Sequence, residues 1–217
     1  MPLTAFPFLT ATAVCGLLLS GAVQAQSGLS RCGGAAGPAL PDDCMLEAPP
    51  LMLGFDYTPT TADLRRGNLS ITQSTPEGGT RDVTGPFEVA GGLQPPVLRD
   101  IDNDGLAELL IQSRPAAYDV WVLNADGFYR IAGRVRAQSL AQISQRGALI
   151  VGEVRDGAGQ ITETAYLLDG AEVVTVFRMR IDPDSRSCSL IDGAAEAQDW
   201  LNADVLLAEC EARDWND

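Results

Sequence analysis

The chain contains no histidine, and its 15 basic residues are all arginine, so lysine is absent as well. A Ser-His-Asp triad, a Cys-His pair, a His-ligated zinc, a Schiff-base lysine and a Walker-type phosphate loop each need one of the missing residues. Positive charge is in short supply too. Twenty-nine acids face those 15 arginines, for a formal net charge of −14. Such a surface repels nucleic acid and anionic lipid. It is compatible with a cation or a basic protein partner, and most of it serves solubility. The first 25 residues carry no charge at all. Within them Phe6 to Leu19 is apolar and Val23-Gln24-Ala25 supplies small residues, which reads as a secretory signal peptide over 1–25. It is too short and wrongly flanked for an anchor, so no membrane insertion is expected once it is removed.

Cysteine is scarce. Cys15 falls in the leader, where Thr12-Ala13-Val14 fits a lipobox poorly. Cys32, Cys44, Cys188 and Cys210 remain, an even number in an exported chain, which points to two disulfides. Proximity favours Cys32–Cys44 and Cys188–Cys210 among the possible pairings. Their spacings do not suit zinc, and no histidine is there to help.

What is present is concentrated between Asp100 and Glu108, which reads Asp-Ile-Asp-Asn-Asp-Gly-Leu-Ala-Glu. Asp100, Asp102 and Asp104 alternate, Gly105 permits a sharp turn, and Glu108 follows four residues after the third aspartate. A hard cation is served by this pattern, since calcium takes about six to eight oxygens at about 2.3–2.6 Å. Side-chain oxygens would come from the three aspartates and Glu108, and a carbonyl oxygen from Leu106, leaving the Leu106 side chain free for a core. Crowding four carboxylates into one loop is unfavourable without a cation. Asp-Asn-Asp-Gly is also ordinary turn chemistry. A plain turn seldom carries the full alternation, a closing acid and then a strand such as Leu109-Leu110-Ile111. Asp182 and Asp184 repeat the spacing weakly, without the glycine or a closing acid.

Residues 100–109, with Val97-Leu98 before and Leu110-Ile111 after, resemble the calcium loop of FG-GAP repeats, the integrin-alpha-type β-propeller repeat. The resemblance implies a loop joining two strands of a blade, with ligands at Asp100, Asp102, Asp104, Leu106 and Glu108. Glu108 stands where that family more often has aspartate. An EF-hand fits less well, because its closing glutamate falls at position twelve, which is Ile111 here.

Residues 26–50 are rich in Gly, Pro and Ala and read as an irregular N-terminal arm with one disulfide loop. From Leu51 to the end, short apolar runs are broken by turn signals, the signature of a mostly β domain. Expected strands are Leu51–Tyr57, Leu69–Gln73, Phe87–Ala90, Pro96–Arg99, Glu108–Arg114, Asp119–Leu123, Phe128–Val135, Ala148–Arg155, Thr162–Leu168 and Val173–Ile181. Hairpins are expected at Asn124–Gly127, Asp156–Gly159 and Asp169-Gly170, giving an antiparallel meander. A small degenerate β-propeller of about four or five blades explains the pattern, and a β-sandwich is the alternative. Ser139–Gln145 is read as a helical turn or a loop. Ala194–Ala212 has near-helical apolar spacing, so a C-terminal helix tied back by Cys210 is expected.

Tyr118, Trp121, Phe128 and Tyr129 form an aromatic group on one hairpin, a candidate partner surface as well as core material. Arg130, Arg134 and Arg136, at even spacing, are expected on one face. No pair of acids outside the Asp100 loop marks a hydrolytic site, and metal-held carboxylates are poor general acids. The sequence therefore reads as a secreted or periplasmic calcium-binding β protein, a binding module at the cell envelope rather than an enzyme. An inhibitor of a basic hydrolase such as lysozyme, and a carboxylate-dependent envelope hydrolase, are the alternatives.

Overall fold

A computed structural model describes residues 30–32, 43–48, 51–60, 66–75, 77–90, 94–193 and 202–215. The expected leader, 1–25, lies outside them. Strand dominates, arranged in three antiparallel meanders of consecutive strands. The first sheet holds β1 (Ser30–Arg31), β2 (Cys44–Ala48), β3 (Leu51–Pro59), β4 (Arg66–Ser74) and β5 (Thr80–Ala90). The middle sheet holds β6 (Val97–Arg99), β7 (Glu108–Arg114), β8 (Ala117–Leu123) and β9 (Tyr129–Val135). The third holds β10 (Ile143–Arg146), β11 (Leu149–Arg155), β12 (Ile161–Asp169), β13 (Glu172–Asp182) and β14 (Ser187–Gly193), followed by helix α1 (Ala203–Glu211). Only the short β1–β2 pair is parallel.

Burial along the strands explains the stacking. On β4, Leu69, Ile71 and Gln73 are buried while Asn68, Ser70 and Thr72 are not, so the first sheet has one dry face and one wet face. On β7, Leu109, Leu110 and Ile111 are all fully buried. Leu109 and Ile111 join Trp121 and Tyr129 against Phe55, Leu69 and Ile71 of the first sheet. Leu110 joins Tyr118, Val120 and Val135 against Ile143, Ile150 and Tyr166 of the third. The unbroken apolar run on β7 thus marks a strand covered on both sides. Each such side chain contributes about 1.5–3 kcal/mol by leaving water. The outer face of the third sheet, with Val151, Ala165, Phe177 and Met179, is capped by Leu206 and Cys210 of α1.

Two side-chain features set the spacing of the layers. Gly152 of β11 lets the middle and third sheets approach closely, because a Cβ there would lie 2.2 Å from the Arg136 carbonyl oxygen. Gln73, buried on β4, donates through Nε2 to the Gly127 carbonyl (2.6 Å) and accepts through Oε1 from the Tyr129 N–H (3.2 Å). Cys32–Cys44 closes β1 onto β2, and Cys188–Cys210 ties α1 to β14.

Several sequence expectations are revised. The mostly β fold of antiparallel meanders with a C-terminal helix is as expected, and among the described residues it comprises three sheets where four or five blades or a two-sheet sandwich were anticipated. The N-terminal arm is not wholly irregular, since β2 pairs with β3 over its full length. The hairpins at Asn124–Gly127, Asp156–Gly159 and Asp169-Gly170 are all present, with closing backbone bonds at the first two. Ser139–Gln145 holds a 3-10 turn at Leu140–Gln142 and then the start of β10. Within the expected tail helix, the described part begins at Ala203, capped by Asn202 Oδ1 accepting from the Asp204 N–H (2.9 Å).

Candidate metal centre

Strands β6 and β7 pair with Arg99 opposite Glu108, so the acidic loop is the connection of a hairpin in the doubly covered middle sheet. Both of its ends are anchored. Ile101 is buried against the third sheet, and Leu98 packs toward the first. The Tyr129 hydroxyl donates to the Ala107 carbonyl at 3.0 Å. Between these anchors the backbone enters the left-handed region at Asn103 (φ 67°) and Gly105 (φ 90°), where Asn and Gly are the residues that tolerate it.

The carboxylates shape the loop by accepting from its backbone. Asp100 accepts from Asn103 N–H (2.6 Å) and Gly105 N–H (3.0 Å). Asp102 Oδ1 accepts from Asp104 N–H (3.2 Å), and Asp104 Oδ1 from Leu106 N–H (2.7 Å). Glu108 reaches back across the loop, its Oε2 accepting from Ile101 N–H (2.9 Å). One oxygen from each of Asp100, Asp102 and Glu108 lies within 4.8 Å of the others. Two ligands of one calcium ion at about 2.3–2.6 Å can be no more than about 5 Å apart, so the three oxygens fit a single coordination sphere.

The electrostatics agree with that geometry. Glu108 is 3% exposed. Burial, then the charges of Asp102 and Asp104, push its carboxyl up to about 7 against the hydrogen bond from Ile101. Asp102 is raised as well, by burial first and then by Asp104 and Asp100, while the Asp104 N–H pulls it back. Oxygen-only, anionic and crowded, such a donor set could hold a hard divalent cation.

Not every expected ligand converges. Asp104 is exposed and outside the three-oxygen group, its Oδ1 spent on Leu106 N–H. The Leu106 side chain points outward rather than into a core. It is 53% exposed and lines a cleft of about 300 Å³ with Ala48, Leu51, Leu98 and Leu123. Asp182 is simply a turn residue, its Oδ1 accepting from Asp184 and Ser185 N–H, which holds its carboxyl below the usual range.

The aromatic group does not form a partner surface. Tyr118, Trp121 and Tyr129 are buried. Tyr118 faces the third sheet, whereas Trp121 and Tyr129 face the first, because both sides of the middle sheet are covered. Phe128 is half-buried beneath the Arg81 guanidinium, 4.4 Å from the ring centroid. Arg130 and Arg134 do not share a face either. A bulge between the Val120–Gly133 and Trp121–Ile131 pairs inserts one residue in β9 and switches the alternation. Arg130 pairs with Asp126 (2.5 Å), and Arg134 with the buried Asp119 (2.6 Å).

A buried carboxylate that the sequence did not mark lies in the third sheet. Glu163 is 1% exposed and bridges Arg146 (3.1 Å) and Arg213 (3.2 Å), joining β10, β12 and the segment after α1. Its neighbours Thr162 and Thr164 make an ordinary alternating strand, so nothing local signals the charge inside.

Among the described residues no helix is long and apolar enough to cross a membrane. No family model matches the chain, and no curated protein matches it. Among solved structures, it is similar to one described as the structure of a Xanthomonas type IV secretion system related protein. That likeness has a TM-score of 0.45 and 14% identity, covering 68% of this chain and 86% of the other.

Proposed function

We propose that this is an exported β protein whose Asp100–Glu108 loop takes up one calcium ion, and that the stack so stabilised serves as a binding module at the cell envelope. The observation that carries the calcium reading is the convergence of Asp100, Asp102 and Glu108 oxygens within 4.8 Å in an uncompensated acidic loop. The two disulfides fit an oxidising compartment. The FG-GAP-like spacing supports the same cation and implies Asp104 and the Leu106 carbonyl as its remaining protein ligands. An exported single loop is expected at about 10⁻⁴–10⁻³ M affinity, which extracellular calcium fills. The cation's role in this reading is to hold the hairpin, since the carboxylates already spend oxygens on the loop's own backbone.

Calorimetric titration of calcium into chelator-stripped protein tests this directly. A single site in the expected range supports it, and no heat together with no shift in melting temperature refutes it. A second reading, inhibition of a basic hydrolase such as lysozyme, is favoured by the charge of −14 and by Asp104 lying exposed beside the outward Leu106. A salt-sensitive stoichiometric loss of lysozyme activity supports that reading. Turnover of envelope glycan without a stable complex supports a hydrolase instead.

A further inference from the structure

Where the first sheet meets the middle one, their shared core is open at one end. Ala48, Leu51, Leu98, Leu123 and Tyr129 belong to that core, and with Leu106 they line the cleft of about 300 Å³ beside the acidic loop. Ala48 and Leu51 close β2 and open β3, Leu98 is on β6, Leu123 ends β8, and Leu106 stands on the loop itself. Leu51, Leu98 and Leu123 stay partly exposed there. A lone exposed leucine is ordinary on a protein surface. Leu106 differs in its place, since it forms a wall of an apolar opening into a core.

The chemistry of the cleft narrows its occupant. The Tyr129 hydroxyl is the one polar side-chain group among the lining residues, and it is spent on the Ala107 carbonyl (3.0 Å). Small-molecule sites run from about 300 to 1,000 Å³ and orient their ligands with a few placed polar groups. This cleft stands at the bottom of that range with its polar side chain taken, so it suits one apolar side chain delivered by a larger partner. Charge selects what flanks that side chain. Exposed Asp104 directly precedes the Gly105–Ala107 wall. Residues 100–108 carry four acids and no base, and one divalent cation would offset only half of that charge. Arg99, next to Leu98, donates to the Leu140 carbonyl (2.9 Å), and Arg31, on the strand beside β2, pairs with Glu47 (2.5 Å). A rim of this sign favours a basic partner.

Resting on the reading of this chain as a binding module, we propose that the cleft docks one apolar side chain of leucine size from a basic segment of a protein partner, with the acidic loop as its electrostatic rim.

Amide chemical-shift titration of the full mature chain, at low ionic strength with calcium in excess, tests this. The probes are N-acetyl-Arg-Arg-Leu-Arg-Arg amide, the same peptide with serine for leucine, and the same peptide with glutamate for arginine. Saturable shifts centred on Leu51, Leu98, Leu106 and Leu123 are expected with the first, and binding weaker by about tenfold or more with the other two. Leu106→Ser is expected to weaken the first peptide about fivefold or more with an otherwise unchanged spectrum, because the truncated side chain is exposed. Ile131→Ser, at an equally exposed apolar position on β9, is expected to leave that binding unchanged. Equal binding of the serine or the glutamate peptide, undiminished binding by Leu106→Ser, or concentration-dependent shifts at the same leucines without peptide, the mark of a second copy, would each overturn the proposal. Peptide shifts on another face overturn the cleft alone. Turnover of envelope glycan by the same sample, without saturable shifts from any peptide, overturns the binding-module reading and the cleft with it.

Discussion

Replacing Glu108 by glutamine separates the two demands on the acidic loop. Glutamine keeps an oxygen for the Ile101 N–H and removes only the charge. A carboxyl held near 7 rather than 4.5 makes the ionised fold less favourable by about 3 kcal/mol. The sign follows from proton binding. The folded chain holds this proton more tightly than the unfolded chain, so the penalty is absent below about pH 4.5, grows through 7 and is complete above it. In chelator at about pH 8, Glu108→Gln is therefore expected to melt above the parent, by up to about 6–12 °C at about 2–4 °C per kcal/mol. Calcium narrows the gap. At about 10 mM, a site of about 10⁻⁴–10⁻³ M affinity adds about 1.4–2.7 kcal/mol to the parent. The variant, having lost the buried ligand, gains little. Thermal unfolding of both proteins in chelator and in calcium reads all four values. If Glu108→Gln melts below its parent in chelator, or both respond equally to calcium, the account of a crowded site awaiting a cation is wrong.

Other expectations are checked as simply. Asp102→Ala with Asp104→Ala should bring the melting temperature in millimolar calcium down to that of the chelated parent. Cys188→Ser with Cys210→Ser opens a link spanning 22 residues and should cost about 3 kcal/mol in urea unfolding, with α1 losing amide protection first. Glu163→Ala leaves Arg146 and Arg213 without their shared carboxylate. Both arginines retain some access to water, so a loss of about 2 kcal/mol is expected from denaturant midpoints. Gly152→Ala drives a methyl into the Arg136 carbonyl and should cost about 3 kcal/mol or prevent folding, read from soluble yield and unfolding midpoint.

The strands legible in the sequence are those whose residues face a core. Leu109-Leu110-Ile111 and Leu149-Ile150-Val151 are apolar because they are covered, and the Asp-Gly turns between later strands need positive φ that few residues supply. Strands β10 and β14 escaped notice because they are edges. Ile143-Ser-Gln-Arg buries only its first residue, and Ser187–Gly193 is largely exposed, so neither carries an apolar pattern. The acidic loop was readable because consecutive residues build most of it. The convergence of only three of its carboxylates, and the outward turn of Leu106, depend on which backbone N–H each acid captures. The hairpin aromatics misled because a residue on a meander's middle layer is interior whichever way it points. A single bulged residue in β9 was enough to part Arg130 from Arg134.

Gln73 of β4 is a side chain that behaves as backbone. By giving and taking one hydrogen bond at Gly127 and Tyr129, its amide imitates one more peptide unit, splicing the tip of one hairpin onto a neighbouring layer with no strand between them. Sliding those layers by a single residue would leave a donor and an acceptor dry at once, so a lone polar side chain acts as the registration pin for two otherwise greasy surfaces.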